Sequence, residues 1–176
     1  MRYEKTTIFV DNNIPSGLAF GNWANPQDED PVKKLWKMET VIFYTSITCK
    51  QEAISIPNDW KRQKILAYYE KIELVPSRPT LSYGHVDFNR GHSTQDVTSS
   101  KLRRIFKNKT HKGFKADPNN DADHIFEASM VPCGFFLTVD RKTLINVYQK
   151  NKTEVQALIG NMEIIDPPTL WGVIGN

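Results

Sequence analysis

The chain has 176 residues, and its 23 Lys and Arg against 20 Asp and Glu give a formal net charge of +3. That length suits one domain, residues 1–176, and 39% hydrophobic residues are ordinary for a soluble globular chain. The start of the chain lacks the apolar region of a signal peptide and no stretch approaches a membrane-spanning length, so we expect a cytoplasmic protein without a membrane partner. Cys49 and Cys133 lack the spacing of a zinc pair, and we expect both to be reduced and buried.

Apolar runs of strand length alternate with helical patterns along the chain. The predicted strands are residues 6–10, 41–45, 73–76, 134–139 and 162–165. The predicted helices are residues 14–23, 28–38, one beginning near Thr48, 58–72, one beginning at Ser99 or Ser100, one opening at Asp121, 142–150 and 153–159, with a closing turn or short helix at 167–171. This alternation predicts an α/β fold with a mostly parallel sheet, helices on both faces and right-handed crossovers.

Four acidic residues stand where the predicted strands end or the following helices begin. Asp11 ends the first strand, Glu52 lies on the helix after the second, Asp121 opens a helix, and Asp140 ends the strand that follows it. Thr48, with Gln51 three residues later, has the pattern of a capping box for the Glu52 helix. Asp is a common turn former and helix cap, but the carboxyl edge of a parallel sheet is also where ligands collect.

The four acids in this order resemble the acidic pattern of PIN-domain nucleases. The matching segments are FVDNN (9–13), TCKQE (48–52), NDADHIFEA (120–128) and FLTVD (136–140), and the resemblance covers most of the chain. Asp121, His124 and Ala128 fit the family's third motif. The resemblance implies a three-layer PIN-like domain whose first and fourth strands are adjacent at the centre of the sheet, which would bring Asp11 and Asp140 together.

Converging carboxylates favour a divalent cation. Two carboxylates about 4 Å apart repel by roughly 4 kcal/mol at an effective dielectric near 20, and an all-oxygen set without Cys or His suits Mg²⁺ or Mn²⁺. Such an ion supports phosphodiester hydrolysis by generating hydroxide and stabilising charge on the phosphate. We expect Asp11, Asp121 and Asp140 to be the principal ligands, with Glu52 as a ligand or as the residue that orients water.

The residues around these acids have roles of their own. Asn12 and Thr138 are expected to hold the ligands in place. Asp123 is an alternative to Asp121, but residues two apart on a helix lie about 200° around its axis, so only one can be the main ligand. We favour Asp121, because it shares a helical face with the apolar residues that pack toward the sheet.

A basic stretch from Lys101 to Lys115, which contains no acid, precedes Asp121. Its cations are Lys101, Arg103, Arg104, Lys107, Lys109, Lys112 and Lys115. The stretch is either a solvated helix face with a polar loop or a track for a phosphate backbone. The preceding loop, 77–100, carries His85, Asp87 and His92, which have the donor types of a transition-metal site but lack a third firm ligand.

The resemblance implies a Mg²⁺- or Mn²⁺-dependent endoribonuclease that acts on RNA. Many small members of the family are toxins held in check by an antitoxin protein, and both an antitoxin and a homodimer stay open here. Two alternatives are a PIN fold that serves as a catalytically silent RNA-binding or scaffold module and a structure-selective DNA nuclease. Trp171 is expected to cover the core, with a dimer contact as the alternative.

Overall fold

The computed structural model describes residues 5–75, 94–107 and 118–175. Five strands in these ranges form one parallel sheet in the order β3-β2-β1-β4-β5. They are β1 (Thr6–Val10), β2 (Val41–Ser46), β3 (Ile72–Val75), β4 (Phe135–Leu137) and β5 (Glu163–Ile165). Phe9 of the central strand is paired with Tyr44 on one side and Phe136 on the other. The predicted adjacency of the first and fourth strands is therefore confirmed.

Helices cover both faces of the sheet, so the predicted three-layer α/β class is also confirmed. They are α1 (Asn13–Phe20), α2 (Glu29–Leu35), α3 (Ile47–Ile54), α4 (Asp59–Tyr69), α5 (Thr94–Lys107), α6 (Pro118–Ser129), α7 (Asn146–Lys150), α8 (Lys152–Ile159) and α9 (Pro167–Ile174). A 3₁₀ turn (Pro26–Asp28) precedes α2, and a π-helical turn (Arg141–Ile145) precedes α7. No helix in the described ranges is long and apolar enough to cross a membrane.

Two apolar cores lie on opposite faces of the sheet, because successive side chains of a strand point to opposite sides. Phe9 and Phe136 belong to the core under α5, α6, α7 and α8, and their rings stack with centroids 5.4 Å apart. Ile8, Val10 and Leu137 belong to the other core, under α1, α2, α4 and α9. Trp171 is partly buried against that second core, the position expected of a core cover.

Several local predictions are wrong at their boundaries. Thr48 and Gln51 do not form the predicted capping box, because the hydroxyl of Ser46 at the end of β2 accepts the hydrogen bond from the Cys49 amide. Helix α4 ends at Tyr69, since Ile72 pairs with Phe43 in the sheet. Helix α5 already includes Thr94, five residues before the predicted start. Strand β4 spans three residues, so Asp140 lies beyond its end.

Burial also departs from the prediction at two places. The sequence predicts a helix that begins at Asp28, where an acid is normally solvated, but Asp28 is 0% exposed. Its carboxylate accepts two hydrogen bonds from Arg141, a partner 113 residues away that a local pattern cannot reveal. Both cysteines are free, as expected, but only Cys49 is buried and Cys133 is partly exposed.

Candidate active site

Asp11 follows β1 at the carboxyl edge of the sheet and is held by three hydrogen bonds. Its Oδ1 accepts from the Asn12 amide at 2.7 Å, and its Oδ2 accepts from the Asn13 side chain at 2.6 Å and from the Thr138 hydroxyl at 2.8 Å. Burial raises the pKa of Asp11, the neighbouring Asp140 raises it further, and His124 and the hydrogen bonds oppose this change. The carboxylate is thus fixed in orientation in a site that disfavours its charge.

Asp140 lies three residues beyond β4, where it caps the π-helical turn. Its Oδ1 accepts from the Thr143 amide at 2.8 Å, and its Oδ2 accepts from the Thr143 hydroxyl. The amide of Asp140 donates to the Thr138 hydroxyl at 3.1 Å, the same hydroxyl that binds Asp11. Thr138 therefore links the two acids across neighbouring strands.

Glu52 on α3 reaches the same edge from the other side of β1. The side-chain amide of Asn12 donates to Glu52 Oε2, and the hydroxyl of Tyr69 donates to the side-chain oxygen Oδ1 of Asn12. These contacts join α3, the end of β1 and α4. Asn12 therefore contacts two of the acids, Glu52 through its side chain and Asp11 through its backbone amide.

The pKa of Asp121 on α6 is raised by burial and by the charges of all three other acids. Burial is the largest cause that raises its pKa, to about 7, and Asp11, Asp140 and Glu52 add to it, while His124 lowers it. An ordinary exposed aspartate has a pKa of 3.8. The four acids, which come from four different elements, therefore share one electrostatic environment.

Asp123, two residues further on, points elsewhere. Its two carboxylate oxygens bind Arg103 of α5, and the Ser99 hydroxyl donates to it at 3.3 Å. The pair ties α5 to α6. The structure thus separates the two candidates of the third motif, with Asp121 among the acids and Asp123 in an ion pair.

His124 forms a buried network that sequence reasoning did not find. Its Nε2 lies 3.3 Å from Glu52 Oε1, and its Nδ1 lies 3.2 Å from Cys49 Sγ and 3.6 Å from Glu127 Oε2. Burial opposes its charge, but contacts with Cys49, Glu127 and Glu52 outweigh burial and raise the pKa of His124 well above its usual range. His124 therefore places a positive charge beside the acids. The family's third motif contained this residue, but the motif gave no indication of its partners.

Glu127 completes that network one turn further along α6. The Thr48 hydroxyl donates to its Oε1 at 2.9 Å. Burial alone would raise the pKa of Glu127, but His124, Ser46 and Thr48 lower it below its usual value. Glu127 is thus a buried counter-charge for His124.

The donor set has the chemistry for a hard cation but not a finished ligand arrangement. In the described parts of the chain, no three His, Cys, Asp or Glu side chains are grouped so that they could hold a metal ion. All four acids offer carboxylate oxygens, and their mutual repulsion is what a divalent ion would relieve.

The predicted basic track is only partly described. Lys101 and Arg104 are exposed on α5 and line a cavity shared with Asn151 and Glu154 of the α7 and α8 region. Arg103 is partly buried in its ion pair with Asp123. Lys107 ends α5, and Lys109, Lys112 and Lys115 lie outside the described residues, as do His85, Asp87 and His92.

No family model matches the chain, and no curated protein matches it. Among solved structures, it is similar to a chain in the crystal structure of VapBC2 from Rickettsia felis bound to a DNA fragment from their promoter. The two chains are 12% identical with a TM-score of 0.49, and the alignment covers 92% of this chain and 98% of that chain. A similarity at this level assigns neither a family nor an activity.

Proposed function

We propose that this protein is a divalent-metal-dependent nuclease that hydrolyses phosphodiester bonds in RNA. The observation that supports it best is the raised pKa of Asp121, which burial and the charges of Asp11, Asp140 and Glu52 produce together. Four carboxylates at one edge of a sheet repel one another, and such a cluster is typical of a functional site. Binding of a cation together with a phosphate substrate is the simplest function that would relieve the repulsion.

Asp11, Asp121 and Asp140 would hold Mg²⁺ or Mn²⁺. When bound, such an ion polarises a phosphate oxygen and lowers the pKa of a bound water. The Thr138 hydroxyl donates to the Asp11 carboxylate and accepts from the Asp140 backbone amide, so it holds the Asp11 side chain and the Asp140 backbone next to each other. The pKa of Asp121 near 7 means that this residue has to release its proton for the site to work at neutral pH.

Glu52 is the best candidate to orient the attacking water. Asn12 donates to one of its oxygens and His124 lies 3.3 Å from the other, so the carboxylate is held on two sides. A carboxylate held in this way is placed to accept a proton from the attacking water. In this proposal His124 acts through Glu52 and does not touch the substrate.

RNA would be recognised first through its phosphates. Lys101 and Arg104 are exposed cations on α5, the helix that Arg103 and Asp123 join to the helix of Asp121. We propose that they contact the backbone, together with Lys107, Lys109, Lys112 and Lys115, and that Arg103 contributes less because its charge is shared with Asp123. A small inhibitory protein and a homodimer are further parts of this proposal.

A second candidate is a catalytically silent RNA-binding or scaffold module. It is favoured by the absence of a three-ligand group within residues 5–75, 94–107 and 118–175. Asp140 is held by Thr143 and Glu52 by Asn12, so protein contacts alone could account for those two acids.

RNA cleavage with and without metal distinguishes the two candidates. The purified protein should cut RNA in Mg²⁺ or Mn²⁺ and lose this activity in excess chelator, and Asp140→Asn should abolish it. Asp59→Asn, which removes an exposed carboxylate paired with Arg62 on α4, is the matched control and should cut normally. Undiminished activity in chelator, or an active Asp140→Asn protein, would contradict the nuclease proposal. An inactive parent protein that still binds RNA would support the silent module.

A further inference from the structure

Two neighbouring cavities lead away from the acids between α1 and α4. One cavity, of about 330 Å³, is lined by Asn12 and Glu52 at its inner end. A second, of about 370 Å³, is lined by Phe20 and Lys61 at its outer end. Ser16, Ile56 and Ile65 line both cavities, so the two lie side by side. We call this feature the α1–α4 groove.

The outer end of the groove carries an exposed aromatic platform. Trp60 is 59% exposed, the highest exposure of any aromatic side chain in the described residues. The Phe20 ring lies beside it, with centroids 5.8 Å apart and planes tilted by 41°. Exposing a large aromatic surface to water is energetically unfavourable for an isolated domain. A flat ligand can stack on such a surface where it borders a groove.

Two lysines, Lys61 and Lys64, lie at the same end of the groove as this platform. The Lys64 ammonium lies 4.3 Å from the Trp60 ring centroid and 6.0 Å from that of Phe20. Lys61 lines the groove next to them. The nearby carboxylate of Asp59 is already paired with Arg62. The outer end of the groove is therefore aromatic and positively charged, whereas its inner end is acidic.

We propose that the α1–α4 groove binds a single-stranded nucleic acid, with a base stacked on Trp60 and the phosphate backbone passing Lys61 on its way to the acids. A free base face is needed to stack on an exposed indole, and only an unpaired strand offers one along its length. Lysines beside an aromatic platform match the alternation of phosphates and bases. Charge complementarity favours this occupant over an apolar protein segment, which would leave Lys61 and Lys64 unmatched.

This inference rests on the proposed nuclease function only for the direction in which the strand runs. Binding can be measured without cleavage, by anisotropy of a labelled oligouridine in excess chelator. Loss of one stacking contact should weaken binding by roughly 5- to 150-fold in Trp60→Ala, and Trp60→Phe should retain most of the affinity. Val173→Ala, which shortens another exposed apolar side chain on α9, is the matched control and should bind normally.

The contribution of the lysine is tested by salt dependence. Lys61→Ala should reduce the slope of log affinity against log salt by about 0.7, the loss of one phosphate contact on a single strand. Lys5→Ala removes the same charge at the opposite, amino edge of the sheet and should leave the slope unchanged. A DNA oligonucleotide of the same length should also bind, whereas a blunt duplex should bind without any effect of Trp60→Ala.

Three outcomes would overturn the inference. They are unchanged affinity in Trp60→Ala, an equal loss in Val173→Ala, and self-association of the chain that Trp60→Ala abolishes, which would assign the platform to a second copy. A protein that binds single strands through Trp60 but never cleaves them would contradict the proposed nuclease function and leave this inference standing.

Discussion

The guanidinium of Arg103 binds both carboxylate oxygens of Asp123, with Nε 3.1 Å from Oδ1 and Nη2 2.7 Å from Oδ2. This pair satisfies one acid of the third motif within the protein, while Asp121 keeps a pKa raised by burial and by Asp11 and Asp140. We therefore expect Asp121→Asn to lower the single-turnover rate of RNA cleavage by several orders of magnitude at saturating Mg²⁺. Asp123→Asn should lower it by a modest factor only.

The control for this comparison is a substitution of Arg103, the cation of the ion pair. Arg103→Ala also breaks the contact between α5 and α6, so it should reproduce the modest effect of Asp123→Asn. An inactive Asp123→Asn protein beside an active Asp121→Asn protein would show that the third motif is placed two residues too early.

Patterns of short range predicted much of the fold, because strand runs and helix periodicity depend on neighbouring residues. The five strands and the central position of Asp11 and Asp140 follow from such patterns and from the family resemblance. The pairings that hold the site did not follow, because Arg103 binds Asp123 across 20 residues and His124 contacts Cys49 across 75. Nothing in a sequence separates a buried partner from a solvated residue when the two are far apart along the chain.

Asp28 and Arg141 offer a test of such a distant pair. Asp28 is fully buried, and Arg141 binds it through both terminal nitrogens, at 2.8 and 2.5 Å. Within the described residues, Asp28→Ala would leave the Arg141 side chain, next to Asp140, with Asp166 as its remaining partner. We expect a loss of about 1 to 3 kcal/mol in the free energy of unfolding, measured by urea denaturation, because the Arg141 side chain is 31% exposed and keeps Asp166.

Asp30→Ala is the matched control two residues away. Its exposed carboxylate pairs with Lys34 one turn along α2, an arrangement that stabilises a helix by about 0.3 to 0.5 kcal/mol. Equal losses in the two variants would show that the buried pair contributes no more than a surface pair.

His124 and Glu127 should depend on each other for stability. Both are buried, with 3.6 Å between Nδ1 and Oε2, and Thr48 and Ser46 hold the glutamate. His124→Leu removes the positive charge and leaves Glu127 buried without it, so we expect a loss of about 3 to 5 kcal/mol in the free energy of unfolding. His124→Leu combined with Glu127→Leu should recover part of that loss, and a double variant less stable than the single one would contradict the pairing.

The raised pKa of Asp121 makes a prediction about stability and pH without metal. Its carboxyl group has a pKa of about 7 in the folded protein, against 3.8 for the ordinary group. Between these values the folded state keeps a proton that the unfolded state has lost. The stabilisation is therefore complete below pH 3.8 and is lost as the pH rises through 7. Asp121→Asn cannot titrate and removes this dependence.

We therefore expect the Asp121→Asn protein to become steadily more stable than the parent between pH 5 and pH 7, by at most about 1.4 kcal/mol for each pH unit. The measurement is urea unfolding of both proteins in excess chelator at intervals across this range. Comparing the two proteins cancels the titration of groups common to both. In the proposed site Mg²⁺ would bind the ionised carboxylates, so adding it should stabilise the parent more at pH 8 than at pH 5. A stability difference that does not change with pH would mean that Asp121 is ionised throughout and that the acids do not crowd one another.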